Sequence, residues 1–265
     1  MNAQSIFNNK FFVNFTKYTF LLTELTKRDI KVKYRRSILG IFWSFLEPLL
    51  FMIVLTIIFS TIFKGSIANY PVYLLVGRLV YSFFGQGTQG SLHSIYKNAA
   101  IIKKIYVPKY MYGLSAVLSS LITFLLSFIV LFMVMIATHA PFTWFILLSI
   151  VPLILLFFFT IGVGLILATL TVFFRDMEHL YTVFLTILMY GSAIMYPASI
   201  IPAKYQFLLT FNPFYAYVVL FRDCFLYGQW FDPFSIIFAT ISAIVAMIIG
   251  MTVFYKFQDK FILYI

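Results

Sequence analysis

Apolar residues along this chain gather into long runs separated by short polar stretches. Crossing about 30 Å of hydrocarbon takes about 20 mostly apolar residues in a helix. Six stretches reach or approach that length: residues 41–63, 70–92, 110–137, 142–173, 179–197 and 234–256. The second is the weakest, because Arg78 and a tail rich in Gly and Gln interrupt it. The fourth is long enough to run past the membrane, and the first is too long for a secretory signal core and reads as a retained span. In residues 17–36, Tyr18, Leu21, Leu22 and Leu25 fall on one helical face and charge occupies the rest. That predicts an amphipathic helix lying along a membrane surface. Residues 198–233 are too apolar for a solvated loop, and Pro202, Asn212 and Pro213 interrupt them too often for a span. A pair of short helices dipping into the outer leaflet (residues 198–230) fits them. The expectation is one all-α, polytopic membrane domain over residues 1–265, with six spans, an N-terminal interface helix and short outer re-entrant helices.

Composition narrows the classes further. The hydrophobic share is 63%, the charged share 10% and the mean hydropathy +1.00, against about 25% charged residues in soluble domains. A soluble globule has no place for that much apolar surface, so soluble enzymes and nucleic-acid modules are poor readings. The single cysteine, Cys224, excludes an internal disulfide and a thiolate metal cluster.

The net charge of +11 would suggest nucleic acid if it were spread over one face. Instead it is sorted by side. Of the 19 Lys and Arg residues, all but Lys64, Lys204, Arg222 and the in-span Arg78 fall before the first span, in the second-to-third and fourth-to-fifth loops, or in the tail. Such asymmetry places both termini in the cytoplasm and favours an even number of spans. Nucleic acid is not an expected partner; membrane lipids are.

Candidate chemistry is sparse. No Gly-rich loop ending in Gly-Lys-Ser/Thr is present, so the chain is not expected to hydrolyse a nucleotide. Gly85-Gln86-Gly87 and Gly162-Val163-Gly164 are better explained by close helix packing than by phosphate binding. Glu47 and Arg78 are ionisable groups at membrane depth, where charge marks either function or snorkelling to the nearer interface. Pro48 frees a backbone carbonyl and predicts a kink. Trp43, Phe51 and Phe59 recur every eight residues and return to nearly one face of the first span, while Tyr190 and Tyr196 flank Gly191, Ser192 and Ala193 in the fifth. Aromatic faces with polar edges suit sugar rings as they suit interfaces. In the loop at 94–115, Ile101, Ile102, Ile105 and Tyr106 would form an apolar knob ringed by lysines, which reads as a docking site. The dense polar run Phe174-Arg175-Asp176-Met177-Glu178-His179, with His93, supports a different class: a membrane-embedded transferase acting on lipid or sugar. Its simpler explanation is acidic residues at a helix start.

Several local patterns, in one order, resemble a known family. These are Arg28-Asp29, Lys33-Tyr34-Arg35-Arg36-Ser37, Leu39-Gly40, Trp43, Glu47-Pro48-Leu49, Ile102-Lys103-Lys104-Ile105-Tyr106-Val107-Pro108, Phe174-Arg175-Asp176, Tyr196-Pro197 and Asn212-Pro213-Phe214. The chain resembles the membrane permease subunit of ATP-driven bacterial polysaccharide exporters, which move O-antigen, teichoic acid and capsule polymers. The resemblance implies a bacterial plasma (inner) membrane location and a homodimer working with two copies of a separate ATPase. That ATPase would bind ATP and magnesium, leaving this chain without a cofactor or catalytic residue of its own. It implies a coupling helix in 94–107, carrying Asn98, Ile101, Ile102, Lys103, Lys104, Ile105 and Tyr106. Arg28, Asp29, Lys33 and Arg35 would belong to the interface helix. Gate helices at 198–230 would cover a channel along the dimer axis, built chiefly by spans one and five. A lipid-linked polysaccharide would approach near the inner interface, and Trp43, Phe51, Phe59, Arg78, Tyr190 and Tyr196 would line its path. Arg78 stands where that family usually has an apolar residue, and would contact an anionic group on the cargo. Gly191-Ser192-Ala193 replaces bulkier residues and would widen the path. A permease of the same superfamily moving drugs or lipids is the third class.

Overall fold

The computed structural model describes residues 3–35, 37–62, 67–104 and 107–264, with side chains from Tyr18 onward. Phe63 of the first predicted span, and Ile105 and Tyr106 of the predicted coupling segment, lie outside the described residues. The described secondary structure is helical throughout. In chain order the α-helices are α1 (Ala3–Tyr34), α2 (Trp43–Phe59), α3 (Tyr70–Lys97), α4 (Ala99–Ile102), α5 (Tyr110–Ala137) and α6 (Ile150–Phe173). They continue with α7 (Met177–Tyr190), α8 (Gln206–Thr210), α9 (Pro213–Arg222), α10 (Pro233–Phe257) and α11 (Phe261–Tyr264).

Four helical stretches among the described residues are long and apolar enough to cross a membrane: Gly40–Phe59, Tyr110–Ala137, Trp144–Phe173 and Pro233–Tyr264. They match the first, third, fourth and sixth expected spans, and the chain is a multi-pass membrane protein. The second and fifth expected spans do not meet that measure of length and apolarity. The second is a single helix, α3, of 28 residues and about 42 Å, so length is not its difficulty. Its sequence is too polar for a lipid-facing span because protein surrounds it. Val72, Leu74, Leu75 and Ile95 have no exposed surface, and α5, α6, α2 and α9 pack around it. The fifth is α7, only 14 residues and about 21 Å, shorter than the hydrocarbon core. It stops at Tyr190 because the chain turns through Gly191–Tyr196 without helix, with Ala193 at φ +46°.

The helices approach closely where side chains are smallest. A Cβ on Gly162 would lie 2.6 Å from the Met247 nitrogen, and one on Gly250 would lie 2.9 Å from the Gly162 Cα. The α6–α10 crossing is therefore backbone against backbone, as small-residue helix interfaces in membranes require. Gly87 likewise faces Thr160 at 2.8 Å, and Gly164 faces Ser91 at 2.7 Å, in keeping with the packing explanation of both Gly pairs.

α1 carries its apolar face where the spacing put it. Leu22 and Leu25 are buried against the bundle, with Tyr18 and Leu21 partly so, although the helix begins well before residue 17. Within residues 198–230 two short α-helices form, but they behave differently. α8 leaves Phe207 and Leu208 uncovered, whereas α9 buries Phe214, Tyr217, Val218, Leu220 and Phe221 in the core. α9 then continues into a π-turn over Asp223–Tyr227, closed by Gly228 at φ +58°.

Candidate functional site

Polar residues at membrane depth are costly unless they pair or face water, and this chain collects them in one seam. Its walls are the C-terminal half of α1, α2, α3 and the first half of α5. At the end nearest α1 and α4 the seam opens into a cleft of about 400 Å³ lined by Arg28, Asp29, Lys33, Gln86, His93 and Lys97, with Asn98 and hydroxyls of α5. Arg28 donates one Nη to the Asn98 Oδ1 at 2.9 Å and the other to the Asp29 Oδ1 at 2.8 Å. Ser115 donates to the remaining Asp29 oxygen at 3.0 Å, and Asn98 donates to the Ser94 carbonyl at 2.7 Å. Lys33 donates to Gln86 at 2.8 Å. Sequence reasoning gave Arg28 and Asn98 to two different devices; the fold ties them directly together.

Higher in the seam, a pocket of about 30 Å³ is lined by Glu47, Arg78, Ser82, Thr123 and Ser127, and shares Lys33, Gln86 and Ser120 with the cleft below. Arg78 lies 3.8 Å from the Glu47 carboxylate and stacks on the rings of Phe51, at 4.2 Å, and Tyr81, at 5.4 Å. The predicted path residues Arg78 and Phe51 are thus neighbours, and Glu47 joins them. Snorkelling to the surface does not describe Arg78, which is mostly covered by protein. Pro48 sits inside α2, where it leaves the Ser44 carbonyl without its helical donor; the Ser127 hydroxyl, 2.9 Å from the Thr123 carbonyl of its own helix, also reaches the Ser44 carbonyl across the seam at 3.2 Å.

The other predicted path residues are elsewhere. Trp43 and Tyr190 are exposed on α2 and at the end of α7, and Phe59 is partly buried at the far end of α2. The Tyr196 hydroxyl donates to the Tyr190 carbonyl. In the coupling segment Ile101 is exposed with Lys103 and Lys104, but Ile102 turns into the chain's own core at 7% exposure. Ile102 therefore does not belong to a projecting knob. Arg35 is exposed just past α1.

Two further contacts complete the polar groups. His93 approaches Glu178, with Nε2 3.5 Å from the carboxylate. Burial holds its pKa below the ordinary value; Glu178 raises it and Lys97 lowers it by smaller amounts. Glu178 lies in the first turn of α7, as the helix-start explanation requires. The second is a cradle around the non-helical stretch Gly191–Tyr196. The Tyr73 hydroxyl lies 3.0 and 2.8 Å from the carbonyls of Ala193 and Tyr196 and shares its one proton between them, and Tyr70 donates to the carbonyl of Met195. Asn212 donates to Gly191 and Ser192. Arg222 donates to the carbonyls of Ala193 and Ile194 at 3.0 and 3.1 Å and lies 3.4 Å over the Tyr73 ring. Its position between Tyr205 and Tyr227 suggested an outer-loop cation; it is 3% exposed. The sequence hints were Gly191-Ser192-Ala193, Tyr196-Pro197 and Asn212-Pro213-Phe214, the last marking the start of α9; nothing in the sequence pointed to Arg222.

A multi-pass helical bundle with a polar seam opening at one end, and a strapped non-helical segment between two short helices, is a transporter's membrane component. The chain belongs to the ABC-2 type transporter family, whose model matches residues 21–226. It is similar to the O-antigen export system permease protein RfbA of Klebsiella pneumoniae, at 32% identity over 91% of this chain and 93% of the relative. RfbA of Myxococcus xanthus is 26% identical over 92% and 95%. The polysialic acid transport protein KpsM of Escherichia coli is 25% identical over 86% and 89%.

Proposed function

We propose that this chain is the permease subunit of an exporter that moves a lipid-linked polysaccharide from the cytoplasmic side of a bacterial plasma membrane outward. ATP hydrolysis by a separate ATPase, which holds the nucleotide and magnesium, drives the cycle. The observation that carries this reading is the seam. Its inner cleft presents Arg28, Lys33 and Lys97 against one carboxylate, Asp29, a balance suited to the phosphate of a lipid-linked head. The same cleft touches Asn98, at the start of the segment proposed to dock in the ATPase, through the 2.9 Å Arg28–Asn98 bond. Motion of that segment would be felt at the cargo cleft without an intermediary.

Six crossings, cytoplasmic termini and a homodimer complete the reading. α2 buries only Ser44 and Met52, and α7 only Tyr181 and Leu185. Those uncovered faces, bearing Trp43 and Tyr190, are suited to a channel along a dimer axis. Phe51 and Arg78 would meet the polymer or its anionic groups deeper in the seam, and α8 and α9 would gate the outer end. Similarity to O-antigen and polysialic acid permeases supports a polysaccharide cargo.

The test is co-purification followed by reconstitution. A tagged chain should bring down a stoichiometric ATPase, and vesicles holding both should move lipid-linked glycan only with ATP. Lys103→Glu with Lys104→Glu should lower cargo-stimulated ATP hydrolysis while leaving the chain folded. Uphill transport by this chain alone, without nucleotide, would refute the proposal.

A further inference from the structure

A second group of polar side chains lies outside the seam, in a pocket of about 220 Å³ between the end of α8, one face of α9 and the start of α10. Thr210, Tyr215, Val219, Asp232, Phe234 and Ser235 line it, and none of them belongs to the seam. α10 carries Lys256 in its last turn, and charge sorting puts that end in the cytoplasm. The pocket therefore stands at the external end of the same helix.

Three of these residues hold hydrogen-bonding capacity that the fold does not use. Asp232 caps α10 with one carboxylate oxygen, which accepts from the Ser235 amide at 2.8 Å. Its other oxygen bonds no described residue. The hydroxyls of Tyr215 and Ser235 likewise have no hydrogen-bond partner among the described residues. Burial pushes the Tyr215 phenol above its ordinary value, so it remains a donor at neutral pH. Thr210 donates to the Gln206 carbonyl at 3.2 Å, which leaves its oxygen free to accept. Beside these groups the Phe234 ring, stacked on Phe238 at 5.7 Å, presents an exposed apolar face.

That donor and acceptor set discriminates among occupants. The carboxylate repels phosphate, and no Lys or Arg lines the pocket. An acyl chain would leave the carboxylate and both hydroxyls unpaired, which is costly once water is displaced. An ammonium group would use the carboxylate and neither hydroxyl donor. A neutral polyol ring uses them all: its hydroxyls donate to Asp232 and Thr210 and accept from Tyr215 and Ser235, while its C–H face covers Phe234. The volume is that of about seven waters, room for one pyranose ring. We propose that this pocket binds a single neutral pyranose unit from the external side. The source of that sugar, a unit of polymer already carried across, rests on the export reading above; the chemistry of the pocket does not.

The test measures equilibrium binding to the full chain by saturation-transfer NMR, in nanodiscs free of glycolipid and sugar detergent. The probes are the methyl glycosides of glucose, galactose, mannose, rhamnose and N-acetylglucosamine, with phosphocholine and O-phosphoethanolamine standing for lipid heads. We expect at least one glycoside to bind saturably and neither head group to displace it. Tyr215→Phe and Ser235→Ala should each weaken that binding about five-fold. Asp232→Asn, which keeps a capping side chain, should weaken it about ten-fold. Trp144→Leu, in the exposed ring cluster of Trp144, Phe145 and Trp230, should change nothing, which separates the pocket from stacking on any exposed ring. The absence of saturable binding by every glycoside would overturn the proposal. So would displacement by either head group, or binding left unchanged by all three pocket substitutions. ATP-driven transport in vesicles is an independent readout. Transport without sugar binding removes the pocket and leaves the export reading standing, and sugar binding without transport does the reverse.

Discussion

Replacing Gly162 by Ala tests the packing of the bundle most directly. The new Cβ would meet the Met247 nitrogen at 2.6 Å, where ordinary contact begins at 3.4 Å, and it would also strike the Ala246 carbonyl. These are backbone atoms of α10 and cannot rotate away, so the two helices must separate by most of an ångström. Overpacking of this kind costs about 1–3 kcal/mol. At about 2–4 °C per kcal/mol, the melting temperature should fall by roughly 2–12 °C. The chain carries its own reporter, because Cys224 is its single cysteine and is 1% exposed. A thiol-reactive fluorophore added in detergent should light up only as the outer bundle opens. Gly250→Ala should behave the same way, since its Cβ would meet Gly162 from the other side. Gly85→Ala is the control: its nearest neighbour would be a Leu185 methyl at 3.8 Å, and Ala is the better helix former. If Gly162→Ala melts within 1 °C of the unaltered chain, or if Gly85→Ala loses as much, the backbone-contact account is wrong.

Other outcomes follow from the polar contacts. Arg222→Met removes the guanidinium donor from the Ile194 carbonyl and leaves the Ala193 carbonyl to the Tyr73 hydroxyl alone, and should cost about 2 kcal/mol; Arg222→Lys should recover little, because a point-like ammonium cannot bond both carbonyls and stack on Tyr73. The same fluorophore assay reads both. Ser127→Ala removes the hydroxyl shared between the Thr123 carbonyl and the Ser44 carbonyl freed by Pro48 and should cost about 0.5–1.5 kcal/mol, whereas Ser127→Thr should be close to neutral. His93 has its pKa lowered on folding. Below pH 6.5 the unfolded chain takes up a proton that the folded chain resists, so stability should fall as the pH drops through 6.5 and recover above it. His93→Gln should flatten that slope in melts taken between pH 5 and 8; an unchanged slope would remove His93 from the account.

The polar seam shows how far pattern reasoning reaches. Arg78 and Glu47 announce themselves in sequence because charge inside an apolar run is expensive. Their proximity to Phe51 does not, because it depends on α2 packing against both α3 and α5 in the folded bundle. The hydroxyls of Ser120, Thr123 and Ser127 look like ordinary span residues until α5 turns them toward the seam. Ile102 illustrates the reverse. Its run of isoleucines and lysines reads as a projecting knob, yet α4 is a single turn whose orientation follows α3, and that orientation sends Ile102 inward and Ile101 out.

Hydrophobic periodicity and the sorting of lysine and arginine determined the membrane class, the four long apolar helices and the apolar face of α1. Each of these follows from the cost of transferring backbone and side chains into hydrocarbon, which is a local property of the sequence. Tertiary structure alone decided that α3 could be polar because its neighbours replace lipid, and that α7 would stop at Tyr190. It also decided that Arg222 would be buried on a tyrosine ring instead of solvated in a loop. Those outcomes depend on which carbonyls and which faces the folded chain leaves to be satisfied, and contacts between residues far apart in sequence supply the partners.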